Sequence, residues 1–168
     1  MRRLAVTVVL ACLVSACGSH GAAKRQSTKA VPSAGCGATS VGLSRLPAWT
    51  APAFSSSGST APPVPWVKTA GGHAVAVVFA NRLRAGHPED RANKILWIMR
   101  LPRNGSPLSI RATPLRARAP VVTASWPANS SPGEIYPSYV NVPTAGCWHL
   151  QLRWAGHTDS INLRFLAA

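Results

Sequence analysis

Acidic residues are scarce in this sequence. Four Asp and Glu stand against 18 Lys and Arg in 168 residues, which gives a formal net charge of +14. Four carboxylates leave little material for the paired acids of a glycosidase or for the acidic cage of a Ca²⁺ or Mg²⁺ site. The composition therefore argues against both of these kinds of site.

Long apolar runs and helical periodicity are missing as well. The apolar run from Leu4 to Val14 has 11 residues, whereas a helix needs ~20 to cross a bilayer. No segment repeats its apolar residues every 3.6 positions, and the chain contains 15 Pro and 13 Gly. We therefore expect short strands and turns in one domain, since this length allows one domain of ordinary size with a tail.

The first 17 residues have the anatomy of a signal peptide. Met1-Arg2-Arg3 is a positive start, the run 4–14 is an apolar core, and Val14-Ser15-Ala16-Cys17 follows. This tetrapeptide resembles the lipobox of bacterial lipoproteins, in which the cysteine is acylated and becomes the new N-terminus. The resemblance implies removal of residues 1–16, acyl (palmitate) chains on Cys17, and a lipid-anchored position on the extracytoplasmic face of the cell membrane. The alternative is ordinary secretion, which leaves a free thiol at Cys17.

Two of the four cysteines remain to form a pair. Cys12 leaves with the signal peptide and Cys17 carries the lipid, so Cys36 and Cys147 face an oxidising compartment. A disulfide between them encloses 112 residues (147 − 36 + 1), a loop for which chain entropy gives ~4–5 kcal/mol. A reactive thiol pair is the alternative, but the Cys-x-x-Cys spacing is absent. We predict a structural disulfide.

The mature chain divides into a flexible tether at residues 17–35 and a β-sandwich domain at residues 36–168. From residue 18 to 35 the sequence is rich in Gly, Ala, Ser and Lys without any apolar period, and 18 such residues span ~23 Å as a coil. Residues 50–65 are rich in Ser and Pro, which predicts a surface loop without regular structure.

Alternation with a period of two predicts the strands of the domain. The segment 94–101 is apolar on both parities, which predicts a strand covered on both faces. Residues 103–107 supply a turn before the next strand. About seven short strands predict an all-β fold, a single antiparallel β-sandwich. The segments are 73–80, 94–101, 108–112, 120–126, 138–142, 147–154 and 160–166.

The last two strands form a hairpin, and parity assigns its faces. Centring the turn on Gly156-His157 places Trp148 opposite Phe165 on the apolar side. Cys147 then lies on the other, polar side. A disulfide from Cys147 would therefore hold the Cys36 segment against the outer face or edge of the sheet, whereas the antibody-domain disulfide crosses the core.

Residues 132–154, Pro-Gly-Glu-Ile-Tyr-Pro-Ser-Tyr-Val-Asn-Val-Pro-Thr-Ala-Gly-Cys-Trp-His-Leu-Gln-Leu-Arg-Trp, carry a family resemblance. A strand ends in Val-Pro, a corner of small residues with Gly follows, and Cys-Trp opens the next strand. This pattern resembles the penultimate strands of immunoglobulin-like domains in uncharacterised bacterial lipoproteins. The resemblance implies an immunoglobulin-like fold and an envelope location, and it supplies no catalytic residue.

Histidines are the candidate metal ligands. His73, His149 and His157 fall in or beside predicted strands, and the last two lie near opposite ends of one hairpin in the predicted register. No His-x-His or His-x-x-x-His pair occurs, so a polar strand or turn role is the simpler interpretation. We predict no metal and no cofactor.

Acid–base chemistry has one compact candidate group, His87 with Glu89 and Asp90. Adjacent residues in a turn rarely converge on one substrate atom, and no Gly-x-Ser-x-Gly elbow is present. A polar loop is the simpler interpretation, and we predict that the protein is not an enzyme.

Tryptophan and arginine are the candidates for binding. Trp97 and Trp148 fall on apolar parities and are predicted to lie in the core. The strand-end or loop tryptophans are either stacking platforms for carbohydrate or caps on the core; they are Trp49, Trp66, Trp126 and Trp154. Four arginines on the less apolar parity predict a positive outer face that meets phosphate-bearing polymers or lipid headgroups; they are Arg100, Arg111, Arg153 and Arg164.

These features predict a membrane-anchored extracytoplasmic lipoprotein with a non-enzymatic binding or structural β-sandwich. The expected partners are the membrane, through the lipid anchor, and an anionic envelope polymer or another envelope protein. Nucleic acid is not expected outside the cell, despite the basic composition. The alternative is a copper, zinc or redox carrier of the envelope that uses His149 or His73 near the disulfide.

Overall fold

A computed structural model describes residue 36 and residues 42–54, 64–79, 82–86 and 93–168. The predicted signal peptide, the lipidation site Cys17, the whole of the predicted tether and the group at residues 87–90 lie outside these residues. Within the described residues, no helix is long and apolar enough to cross a membrane.

The described residues form two five-stranded sheets. The elements are β1 (Gly42–Ser44), a 3₁₀ helix (Ala48–Phe54), β2 (Val64–Lys68), β3 (Ala74–Val78), β4 (Leu83–Arg84), β5 (Lys94–Met99), β6 (Leu108–Pro114), β7 (Val122–Trp126), β8 (Ile135–Tyr139), β9 (Gly146–Trp154) and β10 (His157–Leu166). The first sheet has the order β1-β2-β3-β5-β8 and the second has the order β4-β10-β9-β6-β7.

The predicted all-β sandwich is confirmed. Strands β3, β5 and β8 follow the A-B-E order of immunoglobulin-like sandwiches, and β10, β9, β6 and β7 follow the order G-F-C-C′. Two details of the prediction are wrong: the described residues hold ten strands instead of about seven, and β4 pairs with β10 in parallel. The missed strands are short and lie in segments without visible alternation, so sequence periodicity gave no signal for them.

The main core lies between the two sheets. Trp97 and Tyr136 of the first sheet pack with Trp148, Leu150 and Phe165 of the second. All five are at most 1% exposed. The prediction that Trp97 and Trp148 are core residues is therefore confirmed.

The outer face of the first sheet carries a second, smaller core. Val75, Val77 and Ile98 point to this side, and Ala53 and Trp49 of the 3₁₀ helix pack over them. The expectation that the strand beginning at Lys94 is covered on both faces is confirmed. The expectation that residues 50–65 lack regular structure is wrong at both ends, because the 3₁₀ helix reaches Phe54 and β2 starts at Val64.

Strand β8 begins earlier than predicted. The predicted segment 138–142 shares only its first two residues with Ile135–Tyr139. Pro137 lies inside the strand, where it pairs with Leu96 of β5. Proline is tolerated there because β8 is the edge strand of the described sheet, and among the described strands none on its other side requires the missing N–H donor.

The hairpin of β9 and β10 has the predicted faces and a different register. Trp148 pairs with Leu163 and not with Phe165, a shift of two residues. The turn residues are Ala155 and Gly156, both with positive φ (44° and 80°), as a type I′ turn requires. A shift of two keeps the parity, so every side chain remains on its predicted face.

Candidate binding face of the second sheet

The two sheets differ in what covers their outer faces. The first sheet is covered by the 3₁₀ helix, whereas the outer face of β6, β7 and β9 presents a polar surface to solvent. Strict alternation produces this face, because Ile110 and Leu152 point into the core while their neighbours point out. Its side chains are Ser109, Arg111, Thr113, Thr123, Ser125, His149, Gln151 and Arg153.

Strand pairing arranges these side chains in rows across the sheet. Ser125, Ser109 and Arg153 form one row, and Thr123, Arg111 and Gln151 form the next. Arg111 and Arg153 are therefore diagonal neighbours on adjacent strands, at a typical separation of ~7–8 Å. We call the surface formed by these six side chains the arginine groove.

The arginine groove is an open depression of about 530 Å³. Hydroxyl and amide groups line it beside the two guanidinium groups, and its floor includes Ala124 and Ile110. Within the described residues, Arg111 and Arg153 have neither an ion-pair partner nor a hydrogen-bond partner for their guanidinium groups. Free guanidinium forks bind phosphate and carboxylate groups in bidentate fashion, so the side chains of the groove are chemically suited to an anion.

Both carboxylates of the described residues are used elsewhere in the fold. Glu134 accepts hydrogen bonds from the backbone N (2.6 Å) and the Nε (3.2 Å) of Arg103. Asp159 is buried at the start of β10 and accepts hydrogen bonds from Thr69. Neither carboxylate therefore neutralises the arginine groove.

Asp159 joins the two sheets, a role that the sequence did not indicate. Its carboxylate accepts hydrogen bonds from the Thr69 hydroxyl (2.6 Å) and from the backbone N–H groups of Gly71 (2.7 Å), His73 (3.0 Å) and Ser160 (2.7 Å). Burial alone raises the pKa of Asp159, but these hydrogen bonds together outweigh it and hold the pKa below its ordinary value.

Three of the four predicted outer-face arginines lie on this face. Arg111, Arg153 and Arg164 are exposed there. Arg100 follows β5 of the first sheet, where its backbone N–H bonds to the carbonyl of His73, so its assignment to the same positive face is wrong. Parity places a side chain on one side of its own sheet and does not tell which sheet that is.

The cysteine pair lies at the end of this face. The Sγ atoms of Cys36 and Cys147 are 2.10 Å apart, with their Cα atoms 5.4 Å apart. Asn162, on the outer side of β10, donates from Nδ2 to the carbonyl oxygen of Cys36 at 3.5 Å. Cys36 itself is therefore held against the outer face of the sheet, as parity predicted for the disulfide; its neighbours in the chain lie outside the described residues.

His149 is fixed by the same asparagine. Its Nδ1 lies 2.9 Å from Asn162 Oδ1. Because Nδ2 of Asn162 faces the Cys36 carbonyl, its oxygen faces the imidazole, and Nδ1 of His149 carries the proton as the donor. In the neutral ring, Nε2 is then the acceptor nitrogen.

The other two candidate histidines lie elsewhere. His73 Nδ1 is 3.8 Å from Asp159 Oδ2 at the opposite end of the sandwich, and the ring of His157 packs on Trp154 with centroids 5.5 Å apart. The structure thus does not bring His73, His149 and His157 together. Across the described ranges, no three His, Cys, Asp or Glu side chains are grouped as a metal site would need.

The tryptophans do not form exposed platforms. Trp154 is 2% exposed, and Trp126 is half-buried against the main core. Trp49 and Trp66 are half-buried against the smaller core. All four cap the two cores, which was one of the two alternatives for them.

The polar residues of the arginine groove were the part that sequence reasoning missed. Ser109, Thr123, Ser125 and Gln151 were visible as polar positions in alternating strands, but only the pairing of β6 with both β7 and β9 brings them to the two arginines. Comparison with protein-family models, with curated proteins and with solved structures found no match to this chain.

Proposed function

We propose that this chain is a membrane-anchored extracytoplasmic lipoprotein whose β-sandwich binds a phosphate-bearing envelope polymer, without catalysis, in the arginine groove. The observation that carries the binding proposal is the pair of free arginines, Arg111 and Arg153, set diagonally among hydroxyl and amide side chains. A repeating anion satisfies both guanidinium groups, and the hydroxyls bond to the groups between its charges.

The anchoring part of the proposal is supported by the sequence. Val14-Ser15-Ala16-Cys17 follows a positive and apolar leader, and Cys36 and Cys147 lie at disulfide distance, which suits an oxidising compartment. Acylation by more than one chain gives stable attachment where one chain does not.

Intact mass of the protein extracted from membranes tests the anchor. We expect the mass of an acylated chain that begins at Cys17 and gains two hydrogens on reduction. Cys17→Ser should abolish acylation and leave the protein extractable from membranes by a high-salt wash, which removes charge-dependent attachment. An unacylated mass of the wild type, or retention of the Cys17→Ser protein after the high-salt wash, would contradict the anchor.

Binding to synthetic poly(glycerol phosphate) tests the groove, with neutral dextran as the control polymer. The chain from residue 17 onwards with Cys17→Ser is compared with the same chain carrying Arg111→Glu/Arg153→Glu. We expect reversal of the two charges to weaken binding at least about tenfold, and added salt to weaken binding of the unreversed chain.

Lys68→Glu/Arg100→Glu is the matched control, because both residues are exposed and belong to the first sheet. Equal losses of binding in the two double variants would show that net charge alone drives binding. The arginine groove would then not be the binding site. If neutral dextran bound as strongly as poly(glycerol phosphate), the proposal that the ligand is an anion would be wrong.

A further inference from the structure

Residues 115–121, between β6 and β7, form an exposed loop that combines apolar and basic side chains. Leu115 and Val121 are 45% and 42% exposed. Arg116 and Arg118 lie between them and are exposed as well, and the loop contains no acidic residue. Apolar side chains next to cations are the composition that enters the interface of an anionic bilayer.

The base of this loop lies beside the cysteine pair. The backbone N–H of Leu115 donates to the carbonyl oxygen of Cys147 at 2.7 Å, and Cys147 is joined to Cys36. Eighteen residues, 18–35, separate Cys36 from Cys17 in the sequence, and the average end-to-end distance of any flexible chain of that length is ~23 Å. An acyl chain on Cys17 therefore holds this end of the sandwich close to the bilayer.

The charged side chains of the described residues favour this orientation, because the carboxylates lie at the far end of the sandwich and arginines lie at the loop end. The two described carboxylates, Glu134 and Asp159, bind at the other end of the strands, to the loop after β5 and to the β2–β3 turn. At the loop end, Arg164 pairs with Cys147 across the hairpin and adds to Arg116 and Arg118. The sequence between β4 and β5 contains two acidic residues and one arginine at positions 87–92, which lie outside the described part. Their formal charge, summed with that of Arg116, Arg118 and Arg164, is still positive.

We propose that the loop 115–121 docks on the anionic surface of the membrane to which the protein is anchored, with Arg116 and Arg118 on lipid phosphates and Leu115 and Val121 in the interface. The orientation rests on the proposed lipid anchor at Cys17. Docking makes a second attachment beside the acyl chains, so the sandwich stands in one orientation on the membrane.

Sedimentation with lipid vesicles tests the docking separately from the anchor. The chain from residue 17 onwards carries Cys17→Ser and so has no acyl group. We expect it to bind phosphatidylcholine vesicles that contain about 30 mol% phosphatidylglycerol much more strongly than pure phosphatidylcholine vesicles. Arg116→Glu/Arg118→Glu should lower the partition coefficient about 30-fold or more, since each basic residue near such a surface contributes ~1 kcal/mol.

Two further variants make the result specific. Leu115→Ser/Val121→Ser should weaken binding about tenfold without a change in charge, and Lys68→Glu/Arg100→Glu should weaken it much less than the loop charge reversal. Equal effects of the two charge reversals would overturn the docking, as would a loop reversal that weakens binding to poly(glycerol phosphate) and leaves vesicle binding intact. The vesicle assay uses an unacylated chain, so it tests docking independently of the lipid anchor. Docking can therefore be disproved while the anchor is supported, and the anchor can be disproved while docking is supported.

Discussion

The carboxylate of Asp159 in β10 accepts a 2.6 Å hydrogen bond from the hydroxyl of Thr69, which follows β2 in the opposite sheet. The backbone N–H of Ala74, at the start of β3, donates to the same hydroxyl oxygen at 3.0 Å, and the carbonyl oxygen of Ala74 lies 2.8 Å from it. One buried charge thus ties the turn of the first sheet to the hairpin of the second, at the end opposite the cysteine pair.

Asp159→Asn should destabilise the fold by about 1–3 kcal/mol at neutral pH, because buried donors lose a charged acceptor. Since the folded pKa of Asp159 lies below its ordinary value, its contribution is present above that value and is lost as the pH falls through the folded pKa. The difference in unfolding free energy between wild type and Asp159→Asn should therefore shrink as the pH is lowered from about 6 to about 3.

Urea denaturation across this pH range measures the difference. Thr69→Val should behave like Asp159→Asn in direction, whereas Thr69→Ser keeps the hydroxyl and should cost less. A difference that stays constant over the whole pH range would show that the carboxylate charge does not contribute.

Replacement of the cysteine pair, Cys36→Ser/Cys147→Ser, should destabilise the domain by roughly 4 kcal/mol. The sequence separation is 111 residues, and a cross-link that closes so long a loop removes much entropy from the unfolded chain. Denaturant unfolding of the double variant, with Cys17→Ser as the background and control, measures the loss. An unchanged midpoint would contradict a stabilising disulfide.

Neighbouring residues of β9 should respond very differently to truncation. Trp148→Ala removes a side chain that is 1% exposed and should cost ~3–5 kcal/mol. His149→Ala removes one half-buried hydrogen bond to Asn162 and should cost ~1 kcal/mol. Thermal unfolding of both variants gives the comparison, and equal losses would mean that the assignment of the two faces is wrong.

The β9–β10 turn offers a stabilising substitution. Ala155 has φ 44°, a left-handed conformation that Asn adopts more readily than Ala and that type I′ turns favour. Ala155→Asn should stabilise the domain by about 0.5–1 kcal/mol, and Gly156→Ala, at φ 80°, should destabilise it by about 1–2 kcal/mol. Unfolding temperatures that rise for the second variant or fall for the first would exclude this turn.

The sequence predicts correctly those features that depend only on the pattern of apolar residues within one strand. The alternation in Trp148, Leu150 and Leu152 assigns the buried face of β9, and the apolar residues on both parities of β5 predict two covered faces. Sequence analysis failed on register, because moving the centre of the turn by one residue shifts the strand pairing by two and leaves the same side chains on the same faces. Ala155 gave no signal of positive φ, since a left-handed alanine is rare.

The binding face depends on neighbours that are distant in the sequence. Arg111 and Arg153 are 42 positions apart (153 − 111), and they meet because β6 pairs with β9. Arg100 has the same local pattern and lies on the other sheet. Likewise, nothing local marks Asp159 as the residue that bonds to the β2–β3 turn, 86–90 positions away.

The sequence by itself determined the β class, the buried faces of the long strands and the pairing candidates Cys36 and Cys147. It did so because a strand's side-chain period of two is a local property and because the predicted signal peptide and lipidation site account for the other two cysteines. The tertiary structure alone decided which strands are neighbours, and with them the arginine groove, the cover over the first sheet and the position of the loop 115–121 beside Cys147. Strand order depends on the free energy of packing the whole core, so it cannot be derived from the sequence of any single segment.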